Sequence, residues 1–172
     1  MSKKILAISG SASEKNASYT FLKGIAEEFK DKYEINPYNK LRDFPLFTPE
    51  KLELGAPEII VDFKHKLAKA DAVIISTPEY SHNIPACLKN ALEWITASGE
   101  LADKKVLPIT LTPQSPRGEY AMKSLLFTLK TLKANVVTQL PLHKDEVAFD
   151  RYDLKLNEDT KLITSEALKL LF

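Results

Sequence analysis

Short apolar runs alternate along this chain with stretches whose apolar positions recur every three to four residues. Lys4 to Ser9 is a nearly continuous apolar run stopped by Gly10, as expected of a strand buried on both faces. From Ser18 to Lys30 the period changes. Phe21, Leu22, Ile25 and Phe29 fall on one helical face, and Ser18 stands at the expected N-cap. Tyr33 to Tyr38 reads as a second strand, with Pro37 best tolerated at an edge or a strand end. Asn39 to Gly55 has no clean period and holds Pro45, Pro49 and Gly55, which predicts a long loop. Pro57 opens a helix that turns Ile59, Ile60, Phe63 and Leu67 inward. Ala72 to Ser76 is a third strand. A helix from Pro85 to Ser98 then buries Leu88, Ala91, Leu92 and Ile95, with Gly99 at C′. Val106 to Leu111 is the fourth strand, and Pro108 within it requires either a bulge or a shorter strand. A helix from Glu119 to Lys133 follows, burying Ala121, Leu125, Leu129 and Leu132. Val136 to Leu140 is the fifth strand, and Glu158 to Leu171 is a last helix packed on Ile163, Ala167, Leu170 and Leu171.

Five strands separated by helices predict a parallel sheet covered on both faces, within one domain spanning residues 1–172. Such sheets take ligands beyond the carboxyl ends of their strands, where strand order reverses, so the loops after strands one, three and four are the candidates for chemistry. Composition narrows the reading further. Twenty-four Lys and Arg against twenty-three Asp and Glu leave a net charge of +1, which offers no basic stripe for nucleic acid or an anionic membrane. The single cysteine, Cys87, allows neither an internal disulfide nor a thiolate cluster. No apolar stretch is long enough for a signal peptide or a membrane span, so a cytoplasmic protein is expected.

The loop from Ser9 to Thr20 is small, rich in hydroxyls, and runs into a helix whose N-terminus suits a phosphate. Ser11, Ser18 and Thr20 are its hydroxyl donors. It lacks the Gly-Lys-Ser/Thr of a triphosphate loop, and with Gly10 as its only glycine it is not a dinucleotide fingerprint. A phosphate monoester such as that of FMN fits; an ordinary strand-to-helix turn capped by Ser18 fits as well. The loop after strand three, Thr77 to Pro85, is stiffened by two prolines and carries polar and aromatic residues between them. That content suits a rigid loop presenting backbone groups to a flat heterocycle.

The seventeen residues from Pro78 to Trp94, Pro-Glu-Tyr-Ser-His-Asn-Ile-Pro-Ala-Cys-Leu-Lys-Asn-Ala-Leu-Glu-Trp, closely resemble the signature segment of the NADPH-dependent FMN reductase family. Gly10-Ser11 through Thr20 resembles that family's phosphate loop, and Leu41 to Leu46 its segment after strand two. Arg117 to Ala121 resembles its glycine-containing start of helix four, so the likeness runs from about residue 3 to 140. Three departures stand out, the first being that the family's Ser-x-Asn reads Ser18-Tyr19-Thr20 here, after a slightly longer loop. Ser13 takes the place of the usual arginine of the phosphate loop, whose contribution to a subunit contact or to dinucleotide preference is then missing. Ser81 takes the place of the usual asparagine in Pro-Glu-Tyr-Asn. The resemblance implies a flavodoxin-like three-layer αβα sandwich with a five-stranded parallel sheet of order 2-1-3-4-5. It implies FMN as cofactor, NADPH or NADH as co-substrate, a small-molecule electron acceptor as substrate, and a homodimer or tetramer.

Carried over by position, the phosphate would lie against Ser11, Ser13, Ser18, Tyr19 and Thr20. The isoalloxazine would lie against Pro78, Glu79, Tyr80 and Ser81, closed by Thr112, Pro113 and Gln114, with Gly118 allowing close backbone approach. The implied activity passes hydride from NAD(P)H to flavin N5 and then reduces a quinone, azo compound or flavin in a ping-pong cycle. It needs no nucleophile, acid–base residue or metal from the protein; backbone N–H groups from Glu79 to Ser81 are expected to stabilise charge on the reduced ring. Two alternatives stand beside it: a flavodoxin-type electron carrier without nicotinamide turnover, disfavoured by the absence of strong acidity, and a flavin-free remnant with an interaction role. His65 reads as a polar-face residue, His143 as a loop residue, and Cys87 as a packed apolar residue. His82 reads as a solvated loop histidine, Trp94 as either core or subunit contact, and Lys64-His65-Lys66 and Lys104-Lys105 as solvated charges.

Overall fold

The computed structural model describes residues 3–14, 16–144 and 156–172. Its strands are β1 (Lys3–Ser9), β2 (Tyr33–Tyr38), β3 (Ala72–Thr77), β4 (Lys105–Thr112), β5 (Asn135–Val136) and β6 (Leu140–His143). Its α-helices are α1 (Ala17–Glu28), α2 (Pro49–Glu53), α3 (Glu58–Lys69), α4 (Ala86–Trp94), α5 (Glu119–Thr131) and α6 (Glu158–Lys169). The sheet runs β2-β1-β3-β4-β5 with every pairing parallel, and β6 also pairs with β4. This is the flavodoxin-like order expected, with Pro37 on the edge strand β2.

The sheet separates two apolar cores. On one face α1 and α6 bury Phe21, Leu22, Ile25, Ala167, Leu168 and Leu171 against Ile5, Ala7 and Ile74. On the other, α3, α4 and α5 bury Ile60, Phe63, Leu88, Leu92, Leu125 and Leu129 against Leu6, Ile8, Val73 and Ile75. The alternation of residues along β1 and β3 between these two lists is the pleat itself, and it explains why both strands are apolar throughout.

Several expectations need correction. The fifth strand is two pieces, Asn135–Val136 and Leu140–His143. Lys105 and Val106 pair with Asn135 and Val136, whereas Ile109 pairs with Leu140, so three residues, 137–139, lie opposite Leu107 and Pro108. Pro108 has no N–H to offer a ladder, and β4 itself stays continuous; the irregularity is displaced onto its neighbour. The segment 39–55 is not structureless, because it holds a 3-10 turn at Leu41–Asp43 and the short helix α2, capped by the Thr48 hydroxyl. In α6, Ile163 (47% exposed) and Leu170 (52% exposed) face outward, while Thr160, Thr164, Ala167 and Leu168 are buried. Lys104 is not a solvated charge: its ammonium donates to the carbonyls of Leu67 (2.8 Å) and Ala70 (2.6 Å) at the C-terminus of α3. Burial pushes its pKa below the ordinary lysine value.

The Tyr38 hydroxyl is buried in the three-ring cluster with Phe44 and Phe63 and lacks a hydrogen-bond partner among the described residues. Burial, reinforced by Asp62 and Asp43, pushes its pKa up to about 12. The unfolded phenol ionises near its ordinary value of about 10, so between those values the unfolded chain holds fewer protons and stability falls as pH rises. Tyr38→Phe is expected to flatten that fall and to leave stability at pH 7 within about 1 kcal/mol, because no bond is lost. Urea unfolding of both proteins at pH 7 and through the alkaline range measures this; equal alkaline slopes would refute it.

Candidate functional site

β1, β3 and β4 lie side by side at the centre of the sheet, and each ends in buried hydroxyl residues: Ser9, Ser76 with Thr77, and Thr110 with Thr112. Three loops leave these ends: residues 10–16, 78–85 and 113–118. They span two inter-strand spacings, about 10 Å. The crevice between β1 and β3 is the point where strand order reverses.

The first loop is organised by Asn16, which the sequence reading did not single out. Its side-chain N–H2 donates to Ser9 Oγ (2.7 Å), Asn39 Oδ1 (2.9 Å) and the Ser11 carbonyl (3.0 Å). Its Oδ1 accepts from the Tyr19 amide at 3.1 Å, so Asn16, not Ser18, is the N-cap of α1. Ser18 is buried inside the first turn. The amides of Ala17 and Ser18 precede the first intrahelical bond and are the pair this helix start offers to an anion. Ser11 is buried and its Oγ accepts from the Ser13 amide at 3.2 Å; the Ser13 side chain is exposed. The Thr20 hydroxyl turns back to the Asn16 carbonyl (3.1 Å), and the Tyr19 ring lies under Lys23 Nζ at 5.2 Å. Gly10 closes the floor. A Cβ there would lie 2.8 Å from Leu88 Cδ2 and 3.1 Å from Thr77, so the backbone packs directly on these side chains and an added methyl would have to displace them.

The second loop contains a tight hairpin in which Tyr80 and Asn83 exchange both backbone bonds at 2.9 Å. Its central residues, Ser81 (φ +49°) and His82 (φ +56°), are left-handed. The Glu79 side chain turns away from solvent and accepts from the Ala121 amide in the first turn of α5 at 3.0 Å. The carboxylate of Glu79 therefore ties the loop after β3 to the helix after β4, at the positive end of α5. The Tyr80 amide is consumed by the hairpin, which leaves those of Glu79 and Ser81 as the donors this segment presents. Pro78 is half-buried, with its carbonyl accepting from Thr77 Oγ1 at 2.9 Å.

In the third loop the buried Thr112 hydroxyl donates to the Arg117 carbonyl at 2.8 Å. Thr112 Oγ1 is also 3.0 Å from Nδ1 of His143. With the hydroxyl proton committed to Arg117, His143 donates from Nδ1, which fixes its tautomer. His143 thus lies at the end of β6, not in a loop as expected. Pro113 and Gln114 are exposed, and Gln114 accepts from the Arg117 amide at 3.1 Å. Gly118 caps α5 with φ +106°, and a Cβ there would meet Thr110 Oγ1 at 3.0 Å and Thr112 Cγ2 at 3.2 Å.

The signature segment also secures the loop after β2. Asn90 donates to the Pro45 carbonyl (3.0 Å) and accepts from the Phe47 amide (2.8 Å), and the fully buried Trp94 donates to the same carbonyl at 2.9 Å. Trp94 is therefore core. Cys87 is half-buried, with Sγ 3.5 Å from the Gly10 carbonyl, and burial pushes its thiol up, away from the thiolate a redox centre needs.

The sequence profile of the NADPH-dependent FMN reductases matches residues 3–146. This chain belongs to that family. It is an oxidoreductase whose cofactor is FMN and whose co-substrate is a nicotinamide. Among its relatives, the NADH:(hydroxy)cinnamate reductase subunit CrdA of Vibrio ruber is 33% identical over 159 residues, which cover 89% of this chain and 77% of that one. The NADH-dependent flavin reductase subunit 2 of Lactobacillus johnsonii is 38% identical over 53% of this chain and 47% of its own length. A quinone reductase of Escherichia coli is 31% identical over 59% of this chain and 57% of its own. The matches thus span about half the length of these last two. The fold is that of FerB, a flavoenzyme NAD(P)H:(acceptor) oxidoreductase from Paracoccus denitrificans: the TM-score is 0.79 at 20% identity, covering 98% of this chain and 95% of that one.

The residues present fit FMN. The α1 start carries two amides that precede the first intrahelical bond beside buried hydroxyls, the Gly10 backbone packs close on Leu88 and Thr77, and the buried hydroxyls of Ser76 and Thr110, near the ends of β3 and β4, lack partners among the described residues.

Proposed function

We propose that this reductase of the family binds FMN across the crevice between β1 and β3 and reduces small planar acceptors such as quinones, azo compounds or flavins at the expense of NAD(P)H. Bound FMN supplies the hydride relay between nicotinamide and acceptor. The protein's part is binding and electrostatics. The amides of Ala17 and Ser18, with Ser11, hold the phosphate, assisted by the positive end of α1. Asn16 keeps that loop open by occupying the acceptors on its inner side. Pro78 to Ser81 and Thr112 to Gln114 flank the ring; the Glu79 and Ser81 amides face developing negative charge on it. Glu79 contributes through its backbone, because its carboxylate is committed to α5. One open face serves nicotinamide and acceptor in turn, a ping-pong cycle.

The observation carrying this reading is the convergence of three loops at the carboxyl ends of the central strands, the first held by Asn16 to Asn39 after β2 and the other two joined through Glu79. We place the partner subunit of a homodimer on the helical face formed by α4 and α5. There a groove of about 500 Å³ between α4 and α5, lined by Phe47, Leu92 and Thr128, leaves Phe127 73% exposed. The test is an absorbance spectrum of protein incubated with FMN, desalted and treated under nitrogen with NADPH or NADH. A retained flavin band that bleaches with nicotinamide is expected. A band that persists until dithionite is added would indicate the electron carrier instead, and no retained band would refute the flavin assignment.

A further inference from the structure

The turn at Tyr80–Asn83 is a two-residue hairpin loop with positive φ at both centres, a geometry that Asn-Gly adopts at least cost. This chain places Ser81 and His82 there and retains the strain of two side chains in left-handed conformation. The side chain of His82 has specific neighbours. Its ring meets that of Tyr120 edge-to-face, with centroids 4.7 Å apart at 71°, and its Nδ1 lies 3.7 Å from Glu79 Oε1. Both contacts reach groups that α5 holds: Tyr120 is on α5, and Glu79 is bonded to it through the Ala121 amide.

His82 nevertheless keeps 77% of its side chain open. Tyr80, in the same hairpin, is 52% exposed and Tyr120 is 53% exposed. Three aromatic rings thus stand outside the core, two on the loop after β3 that flanks the proposed ring site and one in the first turn of α5, which follows the other flanking loop. Ring faces left to water at a ligand site are surfaces on which a planar ligand stacks. We propose that His82 is a specificity-determining residue: with Tyr80 and Tyr120 it forms the outer aromatic wall of the site and favours planar aromatic acceptors over non-aromatic ones. This assignment rests on the flavin-reductase reading above and adds the residue that sets its choice of acceptor.

The test compares FMN-loaded wild type, His82→Gly and His82→Phe. Glycine suits the turn and so preserves the loop, while phenylalanine restores a ring without the imidazole nitrogens. The first readout does not involve turnover. Calorimetry gives the affinities of 2-naphthoate and cyclohexanecarboxylate, which share a charge and differ in having a π face. His82→Gly is expected to weaken 2-naphthoate roughly three- to tenfold, the scale of one aromatic contact, while cyclohexanecarboxylate changes by less than about twofold. His82→Phe is expected to recover most of the loss. In steady state, His82→Gly should raise KM for a 1,4-naphthoquinone more than KM for ferricyanide. Equal weakening of both carboxylates, unchanged naphthoate binding, or failure of phenylalanine to restore it would overturn the assignment to His82. A wild-type protein that retains no flavin, or is not bleached by NAD(P)H, would instead remove the reading beneath it, and this assignment with it.

Discussion

Asn16→Ala is expected to lower stability by about 2–4 kcal/mol and to weaken FMN binding by at least about tenfold. The stability loss has two sources. The helix cap at Tyr19 disappears, at a cost of about 0.5–2 kcal/mol. The buried Ser9 hydroxyl and Ser11 carbonyl each lose a donor, and a buried polar group left unmatched costs about 1–3 kcal/mol. The affinity loss follows because the backbone of the phosphate loop is shaped by those bonds. Asn16→Asp separates the two roles. Aspartate caps a helix as well as asparagine does, yet it puts an anion beside the Ser11 carbonyl and beside the phosphate. It is therefore expected to bind FMN more weakly than Asn16→Ala. Flavin-fluorescence titration and urea unfolding of the three proteins measure both quantities; wild-type affinity in Asn16→Asp would show that the residue is only a cap.

Gly118→Ala should be the other severe change, destabilising by about 2–4 kcal/mol. At φ +106° any side chain is strained, and here the added Cβ would also press on Thr110 and Thr112 at 3.0–3.2 Å. Those two residues belong to a β4 that is buried between strands and cannot recede. Gly99→Ala is the control. Its φ of +77° imposes similar backbone strain, but nothing lies within 4 Å of its Cβ, so its loss should stay near 1 kcal/mol. Gly118 also begins α5, whose Ala121 amide holds Glu79, so its substitution should loosen the ring-flanking loops and lower FMN affinity as well. Denaturant unfolding of the pair decides the matter: equal losses at both glycines would mean that packing against β4 contributes nothing.

One correction and one addition bear most on the site. Ser18 was expected as cap and hydroxyl donor, and it is a buried first-turn residue whose amide faces the proposed anion while Asn16 does the capping. Glu79 is expected beside the ring through its backbone amide, and the structure adds that its carboxylate accepts from Ala121 of α5, forty-two residues further along the chain. Motif position reports where the backbone goes; the direction of a side chain depends on a partner from another element.

The same division runs through the whole molecule. Period and apolar runs alone located β1 to β4 and the buried faces of α1, α4 and α5, because a strand covered on both sides and an amphipathic helix each impose a local pattern. They misjudged α6, where Thr160 and Thr164 are buried and Ile163 is not, because the docking of that helix, rather than its hydrophobicity, chose its face. They also missed the break between β5 and β6, whose cause is Pro108 on the neighbouring strand. The Asn16 bonds to Asn39, the Asn90 and Trp94 bonds to Pro45, and the His143–Thr112 contact join residues 23, 45, 49 and 31 positions apart. Local geometry is written in neighbouring residues and can be read from them. Contacts at such separations exist only once the sheet has brought its strand ends together, and that convergence was decided by the tertiary structure.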